Sequence, residues 1–257
     1  YVTKHFTNNP GNPKRIYPTI SFEYTKKLFR DFVKSKLVHF GDYQDAVRLD
    51  VQFGYHSVLS PLMNIGLITP QWVLRKLESE LRKIKSTKTK LTKNNIEGYL
   101  RQLIGWREYC RYMYVYFRNK LKSTLVPGAF RKKVGTRKLN RKIWYDFSVE
   151  PNIDFLKVML DKVNNLAYLH HIERLMYIGN FMLLSHVSPK EVFKWFQCMF
   201  LDSYHIFMYP NVYGMSQHTS GIMMSKMYLC SSNYITNMSD YKRNPYIDKL
   251  YQDFKKT

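Results

Sequence analysis

Three groups of side chains in this chain have types and spacings that could do chemistry. The stretch "NNLAYLHHIERLMYIGNFML", Asn164 to Leu183, has the apolar spacing of a buried helix yet carries adjacent histidines, His170 and His171, just before Glu173 and Arg174. Neighbouring side chains on a helix point about 100° apart, so the two titratable rings are expected to face different surroundings. "YHSVLSPLMNIGLITP", Tyr55 to Pro70, sets Ser57 and Ser60 in a loop before a helix start. Hydroxyls and free backbone N–H groups there suit a phosphate, although Ser-x-x-Ser-Pro also serves ordinary capping. "YLRQLIGWREYCR" places Arg101, Trp106 and Arg107 near one another along a helix. By itself it equally describes a core tryptophan beside two surface arginines.

The elements that must position these groups are helical. "TKKLFRDFVKSKLVHF" puts Leu28, Phe29, Phe32 and Val33 on one face, and "GDYQDA" is expected to break that helix. Thr69 is expected to cap the next helix, with Pro70 at its first position, and "SPKEVFKWFQCMFLD" opens with a similar Ser-Pro start. A further helix over "NNIEGYLRQLIGWREYCRYMYVYFRNKL" carries an aromatic stripe, and two more fill 151–184. No segment alternates as a strand does, and there is no internal repeat, so the fold class is all-α. Residues 1–19, rich in Asn, Gly and Pro, read as an extended arm or linker, and 20–257 as the helical domain.

Lys+Arg 41 against Asp+Glu 19 leaves a net charge of +22 on 257 residues. Such an imbalance is unusual for a small-molecule enzyme and attracts polyanions, with nucleic acid the leading candidate and a lysine-biased proteome the bland alternative. "LRKIKSTKTKLTK" and "RKKVGTRKLNRK" read as exposed basic loops, and Arg131, Lys132 and Lys133 in the second are candidate phosphate contacts. No apolar run approaches the roughly 20 residues that span a bilayer, so no membrane attachment is expected. Cys110, Cys198 and Cys230 are isolated. That argues against a disulfide framework or a cysteine-rich metal site and points to an intracellular, reducing compartment. The start at Tyr1, without a signal-peptide profile, reads as the interior of a longer polypeptide or a trimmed one.

"HFGDYQDA", "HSVLSPLMNIGLITP", "LRQLIGWREYCR", "AYLHHIERLMYIGNF", "WFQCMFLD", "PNVYGMSQ" and "SSNYITNMSDY" occur in succession. In that order they resemble the FAD-binding half of the photolyase/cryptochrome superfamily. The nearest branch is the bacterial type that carries an iron–sulfur cluster and repairs (6-4) photoproducts. The resemblance runs from about Tyr17 to Phe254 and implies that family's helical FAD-binding domain. It assigns the FAD pyrophosphate to Ser57, Leu59 and Ser60, and the flavin pocket and lesion entrance to Gln102, Trp106 and Arg107. It matches Asp202 to the aspartate that meets the isoalloxazine ring. It makes His170 or His171 the proton donor to the lesion, a role suited to a group whose pKa lies near neutrality. Trp195 would be the first residue of the electron relay that reduces the flavin, with Trp144 or Trp106 further along. The implied activity is blue-light-driven repair of UV-damaged DNA by a DNA photolyase, a lyase.

The chain also departs from that pattern. The relatives place a cysteine pair after the Ser-Asp-Tyr motif, where Asp240 and Tyr241 are followed here by "KRNPYIDKLYQDF". Their first cluster cysteine falls at Phe155. A cubane cluster needs four thiolates, so no iron–sulfur cluster is expected. Two acidic positions after the aspartate appear as His205 and Met208. These departures leave open a non-repairing cryptochrome-like flavoprotein, or a degenerate remnant that binds DNA. The family's N-terminal α/β antenna domain is not in this sequence, and a separate polypeptide is one way to supply it.

Overall fold

A computed structural model describes residues 1–12, 20–84, 91–122, 135–149, 153–219, 222–224 and 228–256. In chain order the elements are α1 (Val2–His5), α2 (Phe22–Asp31), a π-helical segment Phe32–Lys36, α3 (Leu37–Tyr43), α4 (Ser60–Asn64), α5 (Pro70–Ile84) and α6 (Lys93–Leu100). A second π segment, Arg101–Trp106, leads into α7 (Arg107–Lys122), followed by α8 (Arg141–Trp144), α9 (Asp154–Leu166) and a third π segment, Glu173–Gly179. Then come α10 (Asn180–Leu184), α11 (Pro189–Met199), α12 (His205–Met208), a fourth π segment at Tyr209–Ser216, α13 (Ser232–Met238) and α14 (Pro245–Lys256). Among the described residues no strand forms, and the isolated bridges Val47–Ser239 and Arg137–Val187 are its only β pairings. The fold is the all-α one expected. Among the same residues no helix is long and apolar enough to cross a membrane.

The helices gather into two compact units, one of Ile16–Ala46 and Phe53–Tyr109, the other of Tyr1–Arg15, Val47–Gln52 and Cys110–Thr257. In the smaller unit Phe29, Phe32 and Val33 are buried and Leu28 packs against them, the face that the sequence spacing gives. The helix passes through Gly41 and ends at Tyr43, within the GDYQDA stretch expected to break it. Gly41 is needed for a close approach, since a Cβ there would sit 2.5 Å from Asn94 Nδ2 and 2.9 Å from the Asn94 backbone. Helix breaking by glycine is a matter of about 1 kcal/mol, which packing against α6 outweighs. Asn95 fastens the crossing, donating from Nδ2 to the Val38 carbonyl at 2.8 Å and accepting from the Gly41 N–H at 2.8 Å. Thr69 caps α5 as expected, its hydroxyl accepting from the Trp72 N–H at 3.1 Å.

In the larger unit the core is built by α9, the third π segment, α10 and α11. It buries Trp144, Phe155, Met159, Tyr177, Phe181, Trp195 and Phe196. Ser188 precedes Pro189, which opens α11 in the position that suits a residue without an N–H. The arm read from residues 1–19 is described to residue 12. It carries α1 and a hydrogen bond from Gly11 N–H to Asn164 Oδ1.

Asn95 is buried and hydrogen-bonds two backbone groups of α3 at once, so its removal loses both bonds across the crossing. Asn95→Ala is expected to lower stability by about 1–3 kcal/mol, read as a lower midpoint of urea unfolding.

Candidate functional site

The histidine segment is not one helix. α9 ends where Ala167 turns left-handed at φ 47, and its N–H closes the last turn on Val163 at 2.8 Å. Residues 168–170 are non-helical, and the chain re-enters a helix at His171. His170 therefore stands at the helix N-cap rather than on a helix face. Its carbonyl accepts from the Arg174 N–H at 3.1 Å, and its own N–H donates to Glu173 Oε2 at 3.0 Å. The second contact is the carboxylate half of a capping box, with histidine where serine or threonine is usual. That substitution is why the sequence spacing alone reads through the break.

Glu173 is 1% exposed, and a buried carboxylate needs a counter-charge. Lys162, reaching across from α9, donates to its other oxygen at 2.7 Å and to the Arg48 carbonyl at 3.3 Å. Arg174 makes the neighbouring pair. Its Nε donates to the Leu169 carbonyl at 2.6 Å and its Nη1 to Asp202 Oδ1 at 2.5 Å, while the guanidinium lies over the rings of Tyr168 and Phe200 at 4.8 and 4.3 Å. The His170 ring is buried, and Glu173 Oε2 lies 3.7 Å from its Nε2. Because Lys162 already holds that carboxylate, burial dominates and pushes the His170 pKa down to about 3, with Lys162, His171 and Arg174 adding to the effect. His170 is neutral at pH 7. His171 is only partly buried.

Asp202 is thus placed beside Arg174, which sequence reasoning did not assign a role, as it did not for Glu173 and Lys162. The available signal was an acid and a base in a strongly apolar segment, groups that are seldom buried unpaired. Trp195 is fully buried and donates its indole N–H to the Trp144 carbonyl at 2.8 Å, and the two rings lie 5.3 Å apart, edge to face. Phe155 packs edge-on against Tyr177, Phe181 and Tyr241 at 6.0, 6.2 and 6.0 Å. His205 is exposed beside Phe193 and Tyr209, and Met208 is buried. Cys110 and Cys230 are buried and Cys198 is exposed. No group of three or more His, Cys, Asp or Glu among the described residues could hold a metal ion.

The smaller unit carries the serine loop. Val58 is left-handed at φ 55, Leu59 is buried and Ser57 and Ser60 are partly buried, with Ser60 opening α4. Gln102 is exposed and reaches Gln44 Oε1 at 3.4 Å. Trp106 and Arg107 are partly buried at the junction of the second π segment and α7, and the Trp106 ring lies 5.7 Å from Tyr109. Arg131, Lys132 and Lys133 lie outside the described residues.

No family model matches the chain. It is 32% identical over 241 residues to a (6-4) photolyase of Agrobacterium fabrum, an alignment covering 93% of this chain and 45% of that protein. An uncharacterised protein of Acanthamoeba polyphaga mimivirus is 37% identical over 111 residues, 42% of this chain and 76% of its own. Among solved structures, a bacterial class III photolyase from Agrobacterium tumefaciens shares the fold with a TM-score of 0.59 at 15% identity. That match covers 90% of this chain and 48% of the other. The chain spans about half the length of the photolyases it matches.

The neutral, buried His170 has a thermodynamic consequence. Unfolded, it binds a proton below about pH 6.5; folded, only below about 3. The unfolded state holds more protons within that window, so stability is full above about pH 6.5 and declines as pH falls toward 3. His218, buried and lowered to about 4, acts in the same direction. Thermal midpoints measured from pH 7 to 4 are expected to fall, and His170→Gln to give a shallower decline than the parent.

Proposed function

The chain belongs to the photolyase/cryptochrome superfamily, and from that premise we propose that it is an FAD-dependent photolyase repairing (6-4) photoproducts in UV-damaged DNA under blue light. The observation that carries the reading is the succession of seven motifs along a chain 32% identical to a (6-4) photolyase over 93% of its length. When bound and reduced, FAD would supply the light-driven electron. Asp202 and Arg174 form a buried carboxylate–guanidinium pair, a set of acceptor and donors that fits the polar edge of a flavin ring. Ser57, Leu59 and Ser60 would hold the pyrophosphate through hydroxyl and backbone groups, and Gln102, Trp106 and Arg107 would line the pocket.

Of the two histidines, His171 is the proton donor in this reading. It opens the helix and is partly exposed, whereas His170 is locked by Glu173 and disfavours its own protonated form. Trp195 and Trp144 would relay electrons, a role consistent with their ring separation of 5.3 Å. Damaged nucleotides would be flipped out of the duplex, with Arg131, Lys132 and Lys133 among the phosphate contacts. A separate antenna polypeptide is a further proposed partner. We propose no iron–sulfur cluster, because Phe155 is packed among three aromatic rings where the resemblance would put a ligand.

A non-repairing flavoprotein is the second reading, favoured by the exposed His205 and the buried Met208 at positions where the resemblance implies acids. Both readings expect purified protein, reconstituted with FAD, to show flavin absorption; colourless protein overturns both. Asp202→Asn should weaken flavin retention by about 1–3 kcal/mol. His171→Ala should abolish light-dependent repair with flavin content unchanged, because proton donation acts on the chemical step. A parent protein that binds flavin yet repairs nothing favours the second reading.

A further inference from the structure

From Cys110 onward, α7 exposes an aromatic, cationic face that the flavin and lesion readings leave unused. Tyr112 and Tyr116 are one helical turn apart, 50% and 69% exposed, with ring centroids separated by 5.0 Å. Val115, 47% exposed, lies beside them. An exposed tyrosine is unremarkable singly, but a contiguous apolar patch on a basic chain marks a contact site. Lys120, exposed, lies one turn beyond Tyr116 at the edge of this face, and Arg118, also exposed, lies about 120° round the helix from Tyr112, next to the Val115 side. Arg118 lies over the Tyr114 ring at 5.6 Å and Lys120 over the Phe117 ring at 5.7 Å, so each cation is held against a ring of its own helix.

The charges along α7 give the sign of its partner. Beyond Glu108, one turn before Tyr112, the helix carries no Asp or Glu, while Arg111, Arg118, Lys120 and Lys122 are all basic, on a chain of net charge +22. A partner must therefore be polyanionic and must also present flat apolar surface to two neighbouring, mutually tilted tyrosine rings. A duplex offers the phosphates but keeps its base faces stacked on one another. A single strand offers both.

We propose that the Tyr112–Tyr116 face of α7 binds single-stranded nucleic acid, successive bases stacking on the two rings while Arg118 and Lys120 neutralise the adjoining phosphates. The inference does not depend on FAD or on repair, so it stands or falls separately from the function proposed above. Both tyrosines project from the surface, and replacing them leaves the core intact.

Fluorescence anisotropy of the full chain with a labelled oligothymidylate, and with a duplex of matched length, tests the site. Changing Tyr112 and Tyr116 together to Ala should weaken oligothymidylate binding about tenfold or more and duplex binding much less, with the salt slope unchanged. Changing both to Phe should restore the affinity. Changing Arg118 and Lys120 together to Gln should flatten the dependence of log affinity on log salt by about 1.4, at roughly 0.7 per neutralised phosphate on a single strand. Unchanged oligothymidylate affinity in the folded double-Ala variant, verified by circular dichroism, would overturn the proposal. So would an equal loss for strand and duplex, which would make the face a plain electrostatic or protein-docking surface.

Discussion

The larger unit is organised around the need to neutralise charge in its interior. Lys162, Glu173, Arg174 and Asp202 are all buried, and desolvating each ion costs several kcal/mol unless partners are fixed in place. The pairs Lys162–Glu173 and Arg174–Asp202 supply those partners, and they tie together α9, the turn at 168–170 and the loop after α11. Because Glu173 also caps His170, the same carboxylate sets where the second helix begins. Breaking one pair strands a charge, so the three segments are specified jointly. The functional reading inherits this: the position of His171 follows from a cap that an ion pair holds.

Aromatic packing supplies the apolar counterpart. Trp195, Trp144, Phe181, Phe155, Tyr177 and Tyr241 form a continuous series of ring contacts at 5.3 to 6.2 Å, most of them edge to face. That geometry suits the ring quadrupole and contributes beyond area burial. It also uses the position of Phe155 for packing, so a ligand cysteine introduced there would remove ring contacts from the core.

The helical class, the buried faces and several helix starts were legible in the sequence because they depend on local spacing and on single capping residues. Phe29, Phe32 and Val33 share a face because 3.6 residues make a turn, and Thr69 caps because its hydroxyl reaches a nearby N–H. The break expected in the GDYQDA stretch falls at Tyr43, after packing against Asn94 and Asn95 has carried the helix past Gly41. The expectation failed at His170, where a cap residue of an uncommon type hid a helix boundary.

For the site, the sequence by itself determined which residues are candidates, since ordered motifs persist whatever the fold does with them. Ser57, Ser60, Trp106, Arg107, His170, His171, Trp195 and Asp202 were all nameable without coordinates. Only the tertiary structure decided their electrostatic states and their neighbours. That Asp202 meets Arg174, 28 residues away, and that Lys162 meets Glu173 across a helix break, are long-range pairings to which helical periodicity is blind. The same holds for the difference between two adjacent histidines. One is buried and neutral and the other partly exposed, because burial and counter-charge are properties of the packed chain rather than of residue type.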